Sequence, residues 1–210
     1  MGLAWFLVQV VVVSLSGVMA PGAVTAATLA AGAKNRWAGA WIAAGHGIVE
    51  IPLIFLLLAG WGVFLKSDAA RAAVGLAGGL FLVYLGIGMM RETGNAGAQD
   101  KAVRVSRPML TGVVLSATNP YFLLWWATVG LNLAYRAKGY GWVAVPIFAA
   151  VHWMCDLAWL TILSLGAHAG SQVMKGRGQR AVAVFCGTVL VIFGAVFIYD
   201  GLGALRPAMS

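Results

Sequence analysis

Runs of apolar residues, separated by short clusters of charged and polar residues, divide the chain into six segments. A helix of about 20 apolar residues crosses the hydrocarbon layer of a bilayer. Each segment is long enough to do so, and the pattern therefore predicts an all-α, polytopic membrane protein with six transmembrane helices. The predicted segments are residues 3–33, 38–62, 72–90, 109–135, 142–166 and 181–199.

The longest polar connection, residues 91–108, separates these segments into two groups of three. It is too short to fold as a domain, and its composition predicts a flexible cytoplasmic linker. We therefore expect a single membrane domain over residues 1–210. Its first repeat covers about residues 1–90, the linker about 91–108 and the second repeat about 109–210.

Two of the predicted helices are interrupted near their centres by proline. The first contains "APGA", with Pro21 and Gly22, and the fourth contains "TNPYF", with Asn119 and Pro120. Proline removes an amide donor and clashes with the preceding turn, so each site is predicted to break or kink its helix. Either site alone is equally well explained as a packing kink. Both lie in the first helix of a group of three, which favours a repeated design.

The second helix of each group carries a histidine and an acid four residues apart. "GHGIVEIP" holds His46 and Glu50, and "VHWMCDLAW" holds His152 and Asp156. This spacing puts both groups on one helix face, near mid-membrane, where charge is most costly. The two histidines are 106 residues apart, and so are the two acids. Because each group has three helices, the second must enter from the opposite side, which predicts an inverted-topology repeat.

Composition and charge agree with a membrane protein. Hydrophobic residues make up 61% of the chain and charged residues only 10%, which excludes a soluble domain of this size. The net charge of +8 has no accompanying nucleic-acid-binding motif, so we predict no nucleic-acid partner. Nine Lys and Arg residues lie in the first, third and fifth loops and five on the other side, which predicts cytoplasmic odd loops and external termini.

The cysteines give little indication of chemistry. Cys155 and Cys186 lie in predicted helices without a CxxC motif, so neither a redox pair nor a thiolate metal cage is indicated. A membrane electron carrier or thiol–disulfide enzyme would need cysteines near the breaks, where the sequence has none. No hydrolase motif stands out. We predict a protein that is not an enzyme and that has no cofactor.

The chain resembles the LysE-type amino-acid exporters over nearly its whole length. The resemblance is carried by "APGAVTAATLAAGAKNRWAGAWIAAGHGIVE", "FLVYLGIGMMR" and "GVVLSATNPYFLLWW". Ala23 and Tyr121 depart from the family, which often reads Pro-Gly-Pro and Asn-Pro-Lys at these motifs. The resemblance implies efflux of a small amino acid or similar metabolite across the cytoplasmic membrane of a prokaryote, driven by the proton gradient.

A binding site is expected where the broken helices meet. Half-helix N-termini carry partial positive charge, which suits a substrate carboxylate, so we assign this role to Pro21–Gly22 and Asn119–Pro120. Glu50 and Asp156 are then expected to hold the substrate ammonium, to carry the coupling proton, or both. Thr25, Ser116 and Thr118 are expected to support the site with their hydroxyl groups. His46 and His152 are expected either to relay protons or only to pack, with hydrogen bonds to neighbouring helices.

Several alternatives remain open at this point. His46, Glu50, His152 and Asp156, with Cys155, make a donor set for a divalent metal, so metal-cation efflux is the second transport hypothesis. The Gly75–Gly79 GxxxG motif is expected to allow close helix packing, within the fold or in a homodimer. Four tryptophans are interpreted as lipid-facing rather than as cavity-lining: Trp125, Trp126, Trp153 and Trp159.

Overall fold

A computed structural model describes residues 2–19, 22–65, 67–92, 107–173 and 177–205. Within these ranges the chain is helical and contains no strand, which confirms the all-α class. Two five-residue stretches interrupt the α-helices: Leu57–Trp61, which kinks at Gly60 with φ of 98°, and the π-helical turn Trp126–Gly130. The α-helices are α1 Leu3–Val18, α2 Ala23–Lys34, α3 Ala38–Leu56, α4 Gly62–Leu65, α5 Asp68–Glu92, α6 Pro108–Ala117, α7 Pro120–Trp125, α8 Leu131–Gly139, α9 Ala144–Val173 and α10 Arg177–Leu205.

Four stretches in the described part of the chain are long and apolar enough to cross a membrane: Ala38–Trp61, Asp68–Arg91, Ala144–Ser171 and Arg180–Leu205. The first and fourth predicted segments instead form shorter helices. Helices α5, α9 and α10 extend beyond the apolar segments that predicted them. The polar residues at the ends of these helices continue the helical backbone hydrogen bonding. A prediction from hydropathy alone therefore makes these helices too short.

The first segment breaks between Val18, the last residue of α1, and Ala23, the first of α2. Gly22 is in an extended conformation, and its carbonyl accepts the first backbone hydrogen bond of α2, from the Ala26 amide. Pro21 lies outside the described residues. The predicted interruption of this segment is therefore present.

The fourth segment breaks at Thr118 and Asn119, between α6 and α7. The Asn119 side-chain oxygen accepts from the amides of Tyr121, at 3.0 Å, and Phe122, at 3.3 Å, so it caps α7. Pro120 occupies the first position of α7, where the missing amide has no helical partner to lose. The Asn-Pro pair thus ends one helix and starts the next.

Glycines bring α5 and α10 into close contact. Gly75 packs against Gly201, Gly79 against Gly194, and Gly86 against Gly187. Residue numbers rise along α5 as they fall along α10, so the two helices are antiparallel. A Cβ atom at these glycines would meet the backbone of the facing helix. The GxxxG motif is therefore used for packing within the fold.

Helices α3 and α9 pack against each other. Helix α3 also packs against α6, and α9 packs against α1 and α2. The Trp153 indole donates to the Ala43 carbonyl at 2.9 Å, and the Ser164 hydroxyl donates to the Arg36 carbonyl at 2.8 Å. This packing places the His-acid faces of α3 and α9 against each other, between the two helix breaks.

Candidate functional site

Four side chains form a ring in which imidazoles and carboxylates alternate. Glu50 Oε1 lies 3.2 Å from His46 Nε2 and 3.1 Å from His152 Nε2. Asp156 Oδ1 lies 3.7 Å from His46 Nε2, and its Oδ2 lies 3.7 Å from His152 Nε2. All four residues are buried, Glu50 completely. The two pairs identified from sequence spacing therefore meet in a single site.

Two serines orient the imidazoles from outside the ring. Ser14 Oγ on α1 lies 2.6 Å from His152 Nδ1, and Ser116 Oγ on α6 lies 2.6 Å from His46 Nδ1. The Ser116 hydroxyl donates its single proton to the Gly112 carbonyl, also at 2.6 Å. It must therefore accept from His46, so Nδ1 of His46 carries a proton and Nε2 faces the carboxylates.

The two acids differ in how firmly they are held. Glu50 contacts both imidazoles at hydrogen-bonding distance, whereas both contacts of Asp156 are at 3.7 Å. Glu50 Oε2 and Asp156 Oδ2 are buried and have no hydrogen-bond partner among the described residues. Burying a carboxylate oxygen without a donor is costly, so these atoms are suited to receive a proton or a ligand donor.

The ring opens into a cavity of about 490 Å³. This volume is within the range of about 300–1,000 Å³ typical of small-molecule sites. Both helix breaks contribute to its wall, through Gly22–Thr25 at the start of α2 and Asn119 at the start of α7. The cavity therefore joins the features that the sequence analysis identified separately.

Aromatic side chains pack around both histidines. The Trp125 ring stacks on His152 at 5.3 Å between centroids, and the Trp126 ring meets it edge-on at 5.0 Å. The Phe122 ring meets His46 edge-on at 4.8 Å. The lipid-facing interpretation is wrong for Trp126, which is 0% exposed, and Trp125 lines the cavity with it. These aromatic walls reduce the access of water to the ring.

The other predicted residues have varied positions. Thr25 lines the cavity, whereas the Thr118 hydroxyl bonds the Val114 carbonyl of its own helix at 2.7 Å. Pro120 is not among the described residues that line the cavity. Cys155 adjoins Asp156 in sequence, but its thiol donates to the Val151 carbonyl. The predicted site at Pro21 lies outside the described ranges.

Sequence reasoning missed Ser14 and the aromatic wall from α10, formed by Phe193 and Phe197. A single serine in an apolar helix has no signature of its own. Its one signal is that it precedes Ser116 by 102 residues, close to the spacing that relates the two His-acid pairs. Phe193 and Phe197 resemble any apolar residues of a membrane helix.

The ring also has donors of the type that bind metal ions. Ligand atoms of His46, Glu50 and Asp156 all lie within 4.8 Å of one another, and the three residues are buried. One imidazole nitrogen and two carboxylate oxygens suit a divalent transition metal. The Nδ1 hydrogen bond to Ser116 is the kind of outer contact that orients a metal-binding histidine.

The LysE type translocator family matches the chain over residues 15–201. No curated protein and no solved structure gave a match. The matched range includes both helix breaks, all four residues of the ring and Ser116, one of the two serines that orient it.

Proposed function

The chain belongs to the LysE type translocators, and from this membership we propose that it exports a small amino acid or related metabolite in exchange for protons. The family consists of transporters, so the protein is a transport protein rather than an enzyme. Its apolar helices make it a multi-pass membrane protein. We assign it to the cytoplasmic membrane of a prokaryote.

The observation that carries this proposal is the buried ring at the edge of a cavity, in which Glu50 Oε2 and Asp156 Oδ2 have no hydrogen-bond partner among the described residues. A substrate ammonium and a proton are alternative partners for such oxygens. If binding of one requires release of the other, substrate export and proton entry are coupled. No further group is needed for antiport.

We propose that the residues of the site have different functions in transport. Glu50 and Asp156 receive the ammonium or the proton, and His46 and His152 pass the proton between the acids and the cavity. The break at Pro21–Gly22 receives the substrate carboxylate. The side-chain oxygen of Asn119 accepts from the α7 amides, so its side-chain nitrogen is the atom that can donate to the substrate. Pro120 is the first residue of α7 and fixes where this helix begins.

An inverted repeat of two three-span units supports alternating access. The contacts of α3 with α6 correspond to those of α9 with α1 and α2, and α5 pairs antiparallel with α10. In this layout α1 and α2 form the first span and α6, α7 and α8 the fourth. The basic residues favour cytoplasmic odd loops and external termini. A homodimer stays a prediction; the ring itself is complete within one chain.

Divalent-cation efflux is the second candidate, because three ring residues bring ligand atoms within 4.8 Å of one another. In this alternative the ion is the cargo, and its binding displaces protons from the histidines and acids. The sequence lacks the His-rich or acidic loops that often accompany metal transport. The amino-acid hypothesis therefore ranks first.

The test is efflux from proteoliposomes loaded with single labelled amino acids or with Zn²⁺, with and without a pH gradient. We expect gradient-stimulated amino-acid efflux that Glu50→Gln and Asp156→Asn abolish while both variants still insert. Asp68→Asn is the matched control, since its carboxylate is exposed and pairs only with Arg71 among the contacts described, at 3.5 Å. Normal efflux by both ring variants would refute the proposal, and Zn²⁺ efflux alone would favour the second candidate.

A further inference from the structure

We propose that the substrate is an amino acid with one ammonium, one carboxylate and an uncharged, apolar side chain of branched or aromatic type. This inference rests on the proposed export function and specifies its cargo. It follows from three features of the cavity: its charges, its helix N-terminus and its aromatic wall.

The charges of the cavity fit one ammonium and no second charged side chain. Among the described residues that line it, the ring supplies both acids, and none is Lys or Arg. Ligand atoms of Glu50 and Asp156 lie within 4.8 Å of each other, so the two acids form one ammonium site rather than two separate ones. A second ammonium, as in lysine, finds no separate acid. A second carboxylate, as in glutamate, finds no Lys or Arg among these described lining residues, and both imidazoles already face the ring acids.

The carboxylate seat is the N-terminus of α2. Residues Gly22–Thr25 line the cavity, and no described side chain caps this 12-residue helix. The first amides of a helix lack intrahelical partners and, with the helix dipole, attract anions. Helix α7 offers no equivalent seat, because it has six residues and Asn119 already accepts from its Tyr121 and Phe122 amides.

Glu50 Oε2 and Asp156 Oδ2, which lack a hydrogen-bond partner in the described part of the chain, independently indicate a ligand in the same cavity. Both acids are more than nine-tenths buried, so water satisfies these oxygens poorly. A zwitterion that spans from the ring to the start of α2 gives each of its two charges a protein partner.

The remaining wall is aromatic. Tyr121 and Phe197 pack with ring centroids 5.4 Å apart, and Phe193 and Phe197 with centroids 6.3 Å apart, which gives a continuous apolar surface from α7 to α10. The hydroxyls of Ser14 and Ser116 are engaged with the histidines. Thr25 and Asn119 also line the cavity, but at the helix breaks, so a polar substrate side chain against the aromatic wall would lose hydration without full compensation, whereas an apolar one gains by burial.

Exchange of labelled amino acids in proteoliposomes tests this directly, with phenylalanine, leucine, threonine, lysine, glutamate and phenethylamine as substrates. We expect kcat/KM for phenylalanine or leucine to exceed that for each of the others by about tenfold or more. Exchange of threonine or lysine at equal efficiency overturns the inference while leaving the export function intact. Exchange of no amino acid at all overturns the proposed function and the inference together.

A pair of variants on one helix locates the selectivity. Phe193→Ser should lower the preference for phenylalanine over threonine by about fivefold, because it removes part of the apolar wall. Phe185→Ser is the control, since Phe185 lies on the same helix, 66% exposed and away from the cavity. If Phe193→Ser fails to fold, Tyr121→Ser, at a half-exposed position, should show the same shift. An unchanged preference in the folded variant contradicts the inference.

Discussion

The His46–Glu50 pair of the first half and the His152–Asp156 pair of the second have the same spacing but different surroundings. Glu50 is completely buried and lies within 3.2 Å of both imidazoles, whereas Asp156 lies 3.7 Å from each. Ser116, which orients His46, has its proton fixed on a backbone carbonyl. The repeated sequence pattern therefore creates four matching positions, and packing gives them unequal contacts.

This inequality indicates which acid exchanges its partner. Glu50 is the acceptor that holds the two imidazoles together, so its loss should disturb the whole ring. Asp156 makes longer contacts, so it can exchange a proton for a substrate ammonium with less rearrangement. We expect Glu50 to act mainly as the fixed acceptor and Asp156 as the exchanging acid.

The largest expected effect is that of Glu50→Gln. Removing the negative charge shared by two buried imidazoles should abolish transport and lower the free energy of unfolding by about 3 kcal/mol, as loss of one buried ionic partner does. Thermal unfolding in detergent and efflux from proteoliposomes measure the two effects. A variant as stable as the parent protein would contradict the role of Glu50 as the fixed acceptor.

Asp156→Asn should separate transport from stability. We expect loss of proton-driven efflux but a decrease in the free energy of unfolding of only about 1 kcal/mol, since both ring contacts of Asp156 are long. The same two assays apply, with Asp68→Asn as the exposed control. If Asp156→Asn destabilises the protein more than Glu50→Gln does, the proposed division between the acids is wrong.

The two serines give a finer version of the comparison. Ser116→Ala leaves the Nδ1 proton of His46 without its acceptor, a loss of about 1–3 kcal/mol that should slow transport by about tenfold. Ser14→Ala should cost less, because no other bond fixes the direction of the Ser14 proton among the contacts described. Initial efflux rates, normalised to inserted protein, decide the order. Ser116→Thr, which keeps a hydroxyl, should recover part of the loss.

The glycine contacts between α5 and α10 provide a symmetric reference. Gly79 and Gly194 each face the carbonyl of the other. A Cβ atom added at Gly79 would lie 2.6 Å from the Gly194 oxygen, and one added at Gly194 would lie 2.7 Å from the Gly79 oxygen. Gly79→Ala and Gly194→Ala should therefore destabilise equally, by about 1–3 kcal/mol each. Gly170→Ala, at a position with open space, is the control. Clearly unequal losses of stability in Gly79→Ala and Gly194→Ala would show that the two halves of the chain differ in general, and not only at the ring.

The sequence predicted the features that depend on local chemistry. The Pro-Gly and Asn-Pro pairs indicated the two helix breaks, and the four-residue spacing of His46 and Glu50 defines a helix face. The meeting of the two pairs followed from their equal spacing in the two halves. These predictions needed only helix geometry and the cost of placing charge in a membrane.

Features that depend on packing were not predictable in the same way. Lipid and protein interior are both apolar, so nothing in the sequence separates Trp126, which is buried, from Trp41, which is 54% exposed. The contacts of Glu50 and Asp156 with His46, at 3.2 and 3.7 Å, differ by an amount that only the packing of the helices decides. Ser14 gains its role from a histidine 138 residues away.

The most direct test of proton–substrate exchange at the ring is the number of protons moved per substrate. Purified protein in liposomes with an internal pH indicator and a labelled amino acid that it exports allows both fluxes to be measured together. We predict a fixed ratio of protons to substrate in the parent protein and in Asp68→Asn, and no coupled proton movement in Asp156→Asn. Substrate efflux without proton movement in the parent protein, or an unchanged ratio in Asp156→Asn, would contradict the mechanism.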